Sequence, residues 1–142
     1  MNLVIASDHA GYALKEKIKA YLEEQGHKVI DCGTNSEDSC DYPVFAKALC
    51  KEINDKNAER GILVCGTGIG MSMAANKVKG IRAALCSDYF SAKFTRAHND
   101  ANVMCLGARV MGEGLALELV DIFLNTPFEG GKHLRRIDMF EN

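Results

Sequence analysis

Ile62-Leu63-Val64-Cys65-Gly66-Thr67-Gly68-Ile69-Gly70-Met71-Ser72 joins a predicted strand to a predicted helix. The apolar run 62–65 ends in a cysteine, three glycines follow at every second position, and 71–77 has a helical pattern. Glycine permits positive φ angles, so that successive backbone N–H groups can converge on an anion. Cys65 lies beside this loop, and a helix N-terminus favours a thiolate over a thiol. A base next to an anion hole suits proton abstraction beside a carbonyl.

Three familiar glycine loops do not fit this stretch. A dinucleotide-binding loop needs a third glycine where the chain has Met71 (counting from Gly66) or Met73 (counting from Gly68). A P-loop needs Gly-Lys followed by Ser or Thr, which is absent. A cysteine phosphatase loop would carry an arginine where Met71 stands. A catalytic cysteine with a small anion hole remains, and a tight turn without a ligand is the alternative that the local pattern leaves open.

Composition predicts one ordinary globular domain, residues 1–142. The chain has 47% hydrophobic and 25% charged residues and a net charge of −2, which gives no electrostatic case for nucleic acid or an anionic membrane as a partner. No apolar run reaches the roughly 18 residues of a membrane span, and no secretory signal is visible. These features predict a cytoplasmic protein.

The cysteines do not predict a metal site or a disulfide framework, because no two of them form a Cys-x-x-Cys pair and no zinc-finger spacing occurs. The six are Cys32, Cys40, Cys50, Cys65, Cys86 and Cys105.

Apolar runs alternate with segments of helical spacing along the whole chain. Strands are predicted at 2–6, 27–32, 61–65, 81–86 and 103–107, and helices at 12–25, 42–53, 71–77, 89–97 and 113–124. This alternation predicts an α/β fold: a single-domain, three-layer α/β/α sandwich with a five-stranded parallel sheet of Rossmann-like type. Residues from about 128 to 142 are interpreted as a basic tail led by two glycines, free to lie on a partner subunit.

Polar residues follow several of the predicted strands, where parallel sheets bind their ligands. Asp8-His9, the Cys65 loop and Arg109 should therefore share one edge of the sheet. His98-Asn99 ends a helix instead, so it need not face the Cys65 loop of its own chain. Each motif also has a structural interpretation: Asp8 as a helix cap, His98-Asn99 as charge at a helix end, and the tail as a solvated basic face.

Taken together, the motifs resemble those of ribose-5-phosphate isomerase type B, over essentially the whole chain. They are Ser-Asp-His-Ala-Gly at 7–11, Asp-Tyr-Pro at 41–43, Cys-Gly-Thr-Gly-Ile-Gly at 65–70, Ala-Ala-Asn-Lys at 74–77, Gly-Ile-Arg-Ala-Ala at 80–84, His-Asn-Asp-Ala-Asn at 98–102 and Gly-Gly-Lys-His-x-x-Arg at 130–136.

The resemblance implies the role of each site residue. Cys65 would be the base and His98 would assist opening of the sugar ring, with Thr67 as a further catalytic residue. The enediolate oxygen would lie in the loop formed by Gly66, Thr67, Gly68, Ile69 and Gly70. Sugar hydroxyls and phosphate would be bound by Asp8, His9, Tyr42, Asn99, Arg109, Lys132 and Arg136. The family also implies a homodimer, or a tetramer, with shared active sites and no cofactor or metal.

The expected reaction is interconversion of ribose 5-phosphate and ribulose 5-phosphate. Allose 6-phosphate or galactose 6-phosphate isomerase, a non-catalytic sugar-phosphate-binding subunit and a thiol acyltransferase are the alternatives. Galactose-6-phosphate isomerases divide the cysteine loop and the His-Asn motif between two subunit types, whereas this chain has both, which favours a self-sufficient homomeric enzyme. Lys132 stands where the family usually has arginine. Lysine keeps the positive charge but lacks the two parallel N–H groups with which arginine binds a phosphate.

Overall fold

The sheet and helices of the protein are seen in a computed structural model that describes residues 1–141. The strands and helices in chain order are β1 Asn2–Ser7, α1 Tyr12–Glu24, β2 Lys28–Asp31, α2 Tyr42–Asn54, β3 Arg60–Cys65, α3 Ile69–Ala75, β4 Ala83–Leu85, α4 Tyr89–Asn99, β5 Val103–Gly107, α5 Glu113–Asn125 and α6 Lys132–Glu141.

The five strands form one parallel sheet in the order β2-β1-β3-β5-β4. In the register of β1, β3 and β5, Val64 lies opposite Ser7 on one side and Leu106 on the other, and Cys65 lies opposite Gly107. The predicted five-stranded parallel sheet is therefore confirmed. The chain turns outward from β1 to β2 and then crosses to β3, so the carboxyl ends of β1 and β3 flank a crevice of the kind in which such sheets bind ligands.

Helices cover both faces of the sheet, which confirms the three layers. Leu3 and Ile5 of β1 share one core cluster with residues of α1 and α5. Val4 and Ala6 point to the opposite face and share a second cluster with α2 and α3. Strands buried on both faces explain why the sequence shows continuous apolar runs instead of alternation.

Lys15 is a fully buried charge that holds α1 to the end of β2. Its Nζ lies 2.8 Å from Oδ2 of Asp31, whose Oδ1 also accepts from the N–H of Gly33 at 2.9 Å. Burial by itself would lower the pKa of Lys15, but the hydrogen bonds to Asp31 and Glu16 raise it above its ordinary value. This ion pair fixes the start of α1, and with it the turn that leads there from β1.

The structure corrects several predicted boundaries. β4 covers only Ala83–Leu85 of the predicted 81–86, since the N–H of Arg82 donates to Oδ1 of Asn102 at 2.8 Å in place of a strand partner. α3 begins at Ile69, directly after Gly68, which has the positive φ of 80°. The tail interpreted as free contains α6, whose Ile137 is only 4% exposed. α6 packs on α4 of its own chain, a contact that local pattern does not reveal.

Candidate active site

The turn after β1 is pressed against the end of β3. The N–H of Asp8 donates to the carbonyl of Val64 at 3.2 Å. A Cβ at Gly11 would lie 2.5 Å from that same carbonyl oxygen, so only glycine allows this approach. Oδ1 of Asp8 accepts from the N–H of Gly11 at 3.0 Å, and its Oδ2 has no hydrogen-bond partner among residues 1–141. The buried Asp8 carboxylate is therefore available to a ligand at the β1–β3 crevice.

Cys65 ends β3 and is 5% exposed. Its Sγ accepts a hydrogen bond from the backbone N–H of Gly68 at 3.1 Å. Gly68 itself has a left-handed φ of +80°, and α3 begins directly after it. The loop therefore aims a backbone donor at the sulfur of Cys65.

The other buried cysteines have no such donor. Burial raises the pKa of Cys50 to about 11. Burial, with a smaller contribution from Asp88, raises that of Cys86 to about 12. The pKa of Cys105 is also raised well above its ordinary value, first by burial. These three remain neutral thiols and pack as small apolar side chains, whereas the sulfur of Cys65 accepts a backbone hydrogen bond.

The loop after Cys65 is lined by Tyr42 and Arg109. A Cβ at Gly70 would lie 2.7 Å from the ring of Tyr42, so the ring covers this end of the loop. A Cβ at Gly66 would lie 3.6 Å from Nη1 of Arg109, which places the guanidinium at the other end. Oγ1 of Thr67 accepts from the N–H of Ile69 at 3.2 Å and shapes the loop between them.

His9 lies at the same edge, held in one tautomer by the segment before α2. Its Nδ1 accepts from the backbone N–H of Cys40 at 3.2 Å. An accepting Nδ1 leaves the proton of the neutral ring on Nε2, so His9 presents a donor. The structure thus brings Asp8, His9, the Cys65 loop and Arg109 to one edge of the sheet, as the strand ends predict. Tyr42 joins them from the start of α2.

His98 and Asn99 lie elsewhere. α4 runs back along the sheet for eleven residues, about 16 Å at 1.5 Å per residue, toward the amino end of β4. There the Nε of Arg82, just before β4, donates to the carbonyl of Asn99 at 3.1 Å. β5 separates β4 from β3 in the sheet. No contact joins His98 to the Cys65 loop within residues 1–141, so one chain presents two separate halves of the predicted site.

The second half contains a histidine that the sequence analysis did not select. The ring of His133 stacks on that of His98, with centroids 4.0 Å apart and planes 10° from parallel. Burial, and then the adjacent His98, lower the pKa of His133. α6 presents the exposed Lys132 and Arg136 beside this pair. A lone histidine in a basic segment carries no local signal for such a contact; only the packing of α6 on α4 shows it.

Within residues 1–141, no helix is both long enough and apolar enough to pass through a membrane.

Comparisons with known proteins all lead to one family, and each match covers nearly the whole chain. Residues 3–140 match the model of the Ribose/Galactose Isomerase family. Ribose-5-phosphate isomerase B of Escherichia coli is 45% identical over 136 residues, covering 96% of this chain and 91% of that protein. The structure of ribose-5-phosphate isomerase B from Clostridium thermocellum superposes with a TM-score of 0.98 at 46% identity, covering 99% of this chain and 95% of that one.

A third relative was solved with a ligand. Ribose-5-phosphate isomerase B of Mycoplasma genitalium with bound ribulose-5-phosphate superposes with a TM-score of 0.94 at 43% identity, covering 99% of this chain and 93% of that one. With a family model that spans nearly all of the sequence and relatives of this similarity, the chain belongs to the ribose/galactose isomerase family of enzymes.

Proposed function

We propose that the protein interconverts ribose 5-phosphate and ribulose 5-phosphate through an enediolate, with Cys65 as the base. The observation that carries the proposal is the hydrogen bond from the N–H of Gly68 to Sγ of Cys65 at 3.1 Å. The Asp8 carboxylate and Arg109 lie at the same edge of the sheet, with Arg109 next to Gly66. The names of the Escherichia coli relative and of the ribulose-5-phosphate complex support the choice of substrate.

The chemistry has two stages, opening of the sugar ring and isomerisation of the open chain. In the first, His98 moves a proton from the anomeric hydroxyl to the ring oxygen of the furanose, a task suited to imidazole near neutral pH. In the second, the Cys65 thiolate removes the proton from C2 of the open aldose. The electron pair of the broken C–H bond moves toward the carbonyl, and backbone N–H groups of residues 66–70 stabilise the charge that develops on O1. Return of the proton to C1, together with transfer of the hydroxyl proton from O2 to O1, forms the C2 carbonyl and completes the ketose without a cofactor.

The active site is proposed to form between two copies of the chain. Cys65, Asp8 and His9 would come from one subunit, and His98, Asn99, Lys132 and Arg136 from its partner. The exposed apolar side chains around α4 and α6 support this arrangement: Phe90 is 73% exposed, Met139 74% and Phe140 63%. Exposed large apolar residues clustered on neighbouring elements are typical of subunit interfaces, and a two-fold dimer would repeat the shared site twice.

The cytoplasm remains the proposed location. All six cysteines are free thiols in the structure, as is usual in reducing compartments.

Assays of ribose, allose and galactose phosphates side by side test the proposed function. The expected result is the highest kcat/KM for ribose 5-phosphate, with solvent deuterium entering the sugar in D₂O unless the abstracted proton returns without exchange. Higher kcat/KM for a hexose phosphate would reassign the substrate within the family. Binding of ribose 5-phosphate without turnover or deuterium incorporation would make the protein a sugar-phosphate-binding subunit, and a covalent adduct on Cys65 would indicate acyl transfer.

Replacement of Arg136 by alanine is expected to raise KM for the phosphorylated sugar about tenfold or more and to weaken inhibition by inorganic phosphate. The reason is loss of one cation from the phosphate anchor, for which Arg109, Lys132 and Arg136 are proposed. Because remote phosphate binding also contributes to the chemical step, kcat can fall too. Lys132→Arg should tighten phosphate binding by restoring a bidentate fork.

Arg135→Ala is the matched control, since Arg135 is the adjacent exposed arginine of the same helix. Steady-state kinetics with and without phosphate measure both effects. An Arg136→Ala enzyme with unchanged KM and unchanged phosphate inhibition would remove Arg136 from the anchor.

A further inference from the structure

Three side chains that can each donate a lone pair to a metal converge where α6 packs on α4. Oε1 of Glu129 lies 3.6 Å from Nε2 of His98 and 3.6 Å from Nε2 of His133. One ligand atom from each of the three residues lies within 4.8 Å of the other two. At 3.6 Å neither histidine makes a normal hydrogen bond to the carboxylate, so direct hydrogen bonding does not account for the convergence.

The two separations from Oε1 of Glu129 suit a tetrahedral transition metal, and the ligand atoms of the two histidines lie within 4.8 Å of each other. Bonds of about 2.0–2.2 Å from Zn²⁺ to imidazole nitrogen and carboxylate oxygen place neighbouring ligand atoms about 3.3–3.6 Å apart. Two histidines and one glutamate are also a ligand set that zinc uses in proteins while keeping one coordination position open. We propose that His98, Glu129 and His133 form a binding site for Zn²⁺ and related divalent transition metals.

The backbone holds two of these ligands in place before any metal arrives. The N–H of Glu129 donates to the carbonyl of Ala97 at 3.0 Å, which fixes Glu129 next to the last turn of α4. Gly130 and Gly131 have φ of 69° and 60°, and the N–H of His133 donates to the carbonyl of Gly130 at 3.1 Å. This tight turn brings His133 back over Glu129, four residues earlier, and against His98.

One adjustment is needed. The two rings are stacked almost parallel at 4.0 Å, whereas a metal must lie close to the plane of each imidazole that binds it. His98 is the ring that turns, because its side chain is 39% exposed and that of His133 only 13%. Metal binding is therefore expected to separate the stacked rings of His98 and His133. This change can be measured without an activity assay.

Binding has a consequence for the enzyme that rests on the proposed function. A metal on Nε2 of His98 takes the lone pair that opening of the sugar ring requires. Zn²⁺ is thus expected to inhibit the isomerase reversibly, with the metal acting as a regulator or inhibitor and not as a cofactor. Mg²⁺ should have no effect, because it prefers oxygen ligands.

Titration calorimetry of the metal-free enzyme with Zn²⁺ tests the site directly. One Zn²⁺ per chain is expected, with affinity about tenfold or more lower in Glu129→Gln and in His133→Asn. His27→Asn is the matched control: His27 is half-buried directly before β2, near the N-terminal amine, and its loss should leave affinity unchanged. Circular dichroism and Tm show whether each variant is folded, and the near-isosteric Glu129→Gln keeps the test informative if His133→Asn does not fold.

Co²⁺ separates this site from a thiolate site at Cys65. The wild type should show cobalt ligand-field absorption without a sulfur-to-cobalt charge-transfer band, and Cys65→Ala should bind equally well. In two-dimensional NMR, the ring signals of His98 and His133 should shift on addition of Zn²⁺. In assays, EDTA should restore activity, and Glu129→Gln should resist inhibition.

The outcomes for the site and for the proposed function are distinguishable. Zn²⁺ binding that depends on Glu129 and His133, in a protein with no isomerase activity, would support the site and overturn the function. Equal affinity in wild type, Glu129→Gln and His133→Asn, or binding lost only in Cys65→Ala, would overturn the site and leave the function standing. Absence of Zn²⁺ binding to the wild type would also overturn the site.

Discussion

Replacement of Cys65 by alanine is expected to lower kcat for ribose 5-phosphate isomerisation by about 10² to 10⁴-fold, the usual contribution of a positioned base. The sulfur of Cys65 accepts a hydrogen bond from the N–H of Gly68 at 3.1 Å. Alanine has no sulfur, so the variant lacks both the base and this hydrogen bond. The loop itself is maintained by backbone contacts, including that from the N–H of Ala108 to the carbonyl of Cys65 at 2.8 Å. The variant should therefore fold and still bind the sugar phosphate.

Steady-state kinetics, with deuterium exchange into the sugar in D₂O, measures the loss. Cys32→Ser is the control: burial, with smaller contributions from Glu52 and Asp31, raises the pKa of Cys32, and this cysteine is a neutral thiol away from the loop. Its replacement should change the rate far less. A folded Cys65→Ala protein that isomerises ribose 5-phosphate at nearly the wild-type rate would exclude Cys65 as the base.

Mixing Cys65→Ala chains with His98→Ala chains is expected to restore activity that neither variant has alone. In a shared site, each heterodimer has one site with an intact Cys65 from one subunit and an intact His98 from the other. Its second site has both substitutions. Since random exchange makes about half of all dimers heterodimers, about a quarter of the wild-type activity should return, from the two-fold arithmetic.

The structural reason for this expectation is the position of α4. Its C-terminal end, with His98, lies beside the amino end of β4, whereas Cys65 lies at the carboxyl end of β3. Subunit exchange is followed by native mass spectrometry, and each variant mixed with itself is the control. Heterodimers that form without recovery of activity would place Cys65 and His98 of one site in the same chain.

Much of the fold was predictable because it depends on local pattern. Apolar runs buried on both faces predict parallel strands, and the spacing of Leu14, Ile18 and Leu22 predicts α1, where all three are buried. Asp88, an acidic residue directly before the helical pattern, caps α4: its Oδ1 accepts from the N–H of Ser91 at 2.7 Å. The Cys65 loop was predictable for the same reason: the geometry of a glycine-rich strand-to-helix turn follows from consecutive residues.

Other features depend on contacts between distant residues. No local pattern predicts that β5 lies between β3 and β4, because strand order reflects how the helices pack on the sheet. Residues 132–141 were interpreted as part of a basic tail, yet Ile137 is buried and α6 forms against α4. That same contact stacks His133 on His98 and places both beside Glu129. The sequence by itself determined the sheet, the cysteine loop and the polar strand ends, since each arises within a few residues. Only the tertiary structure decided which histidines meet, because their contact depends on the packing of whole helices.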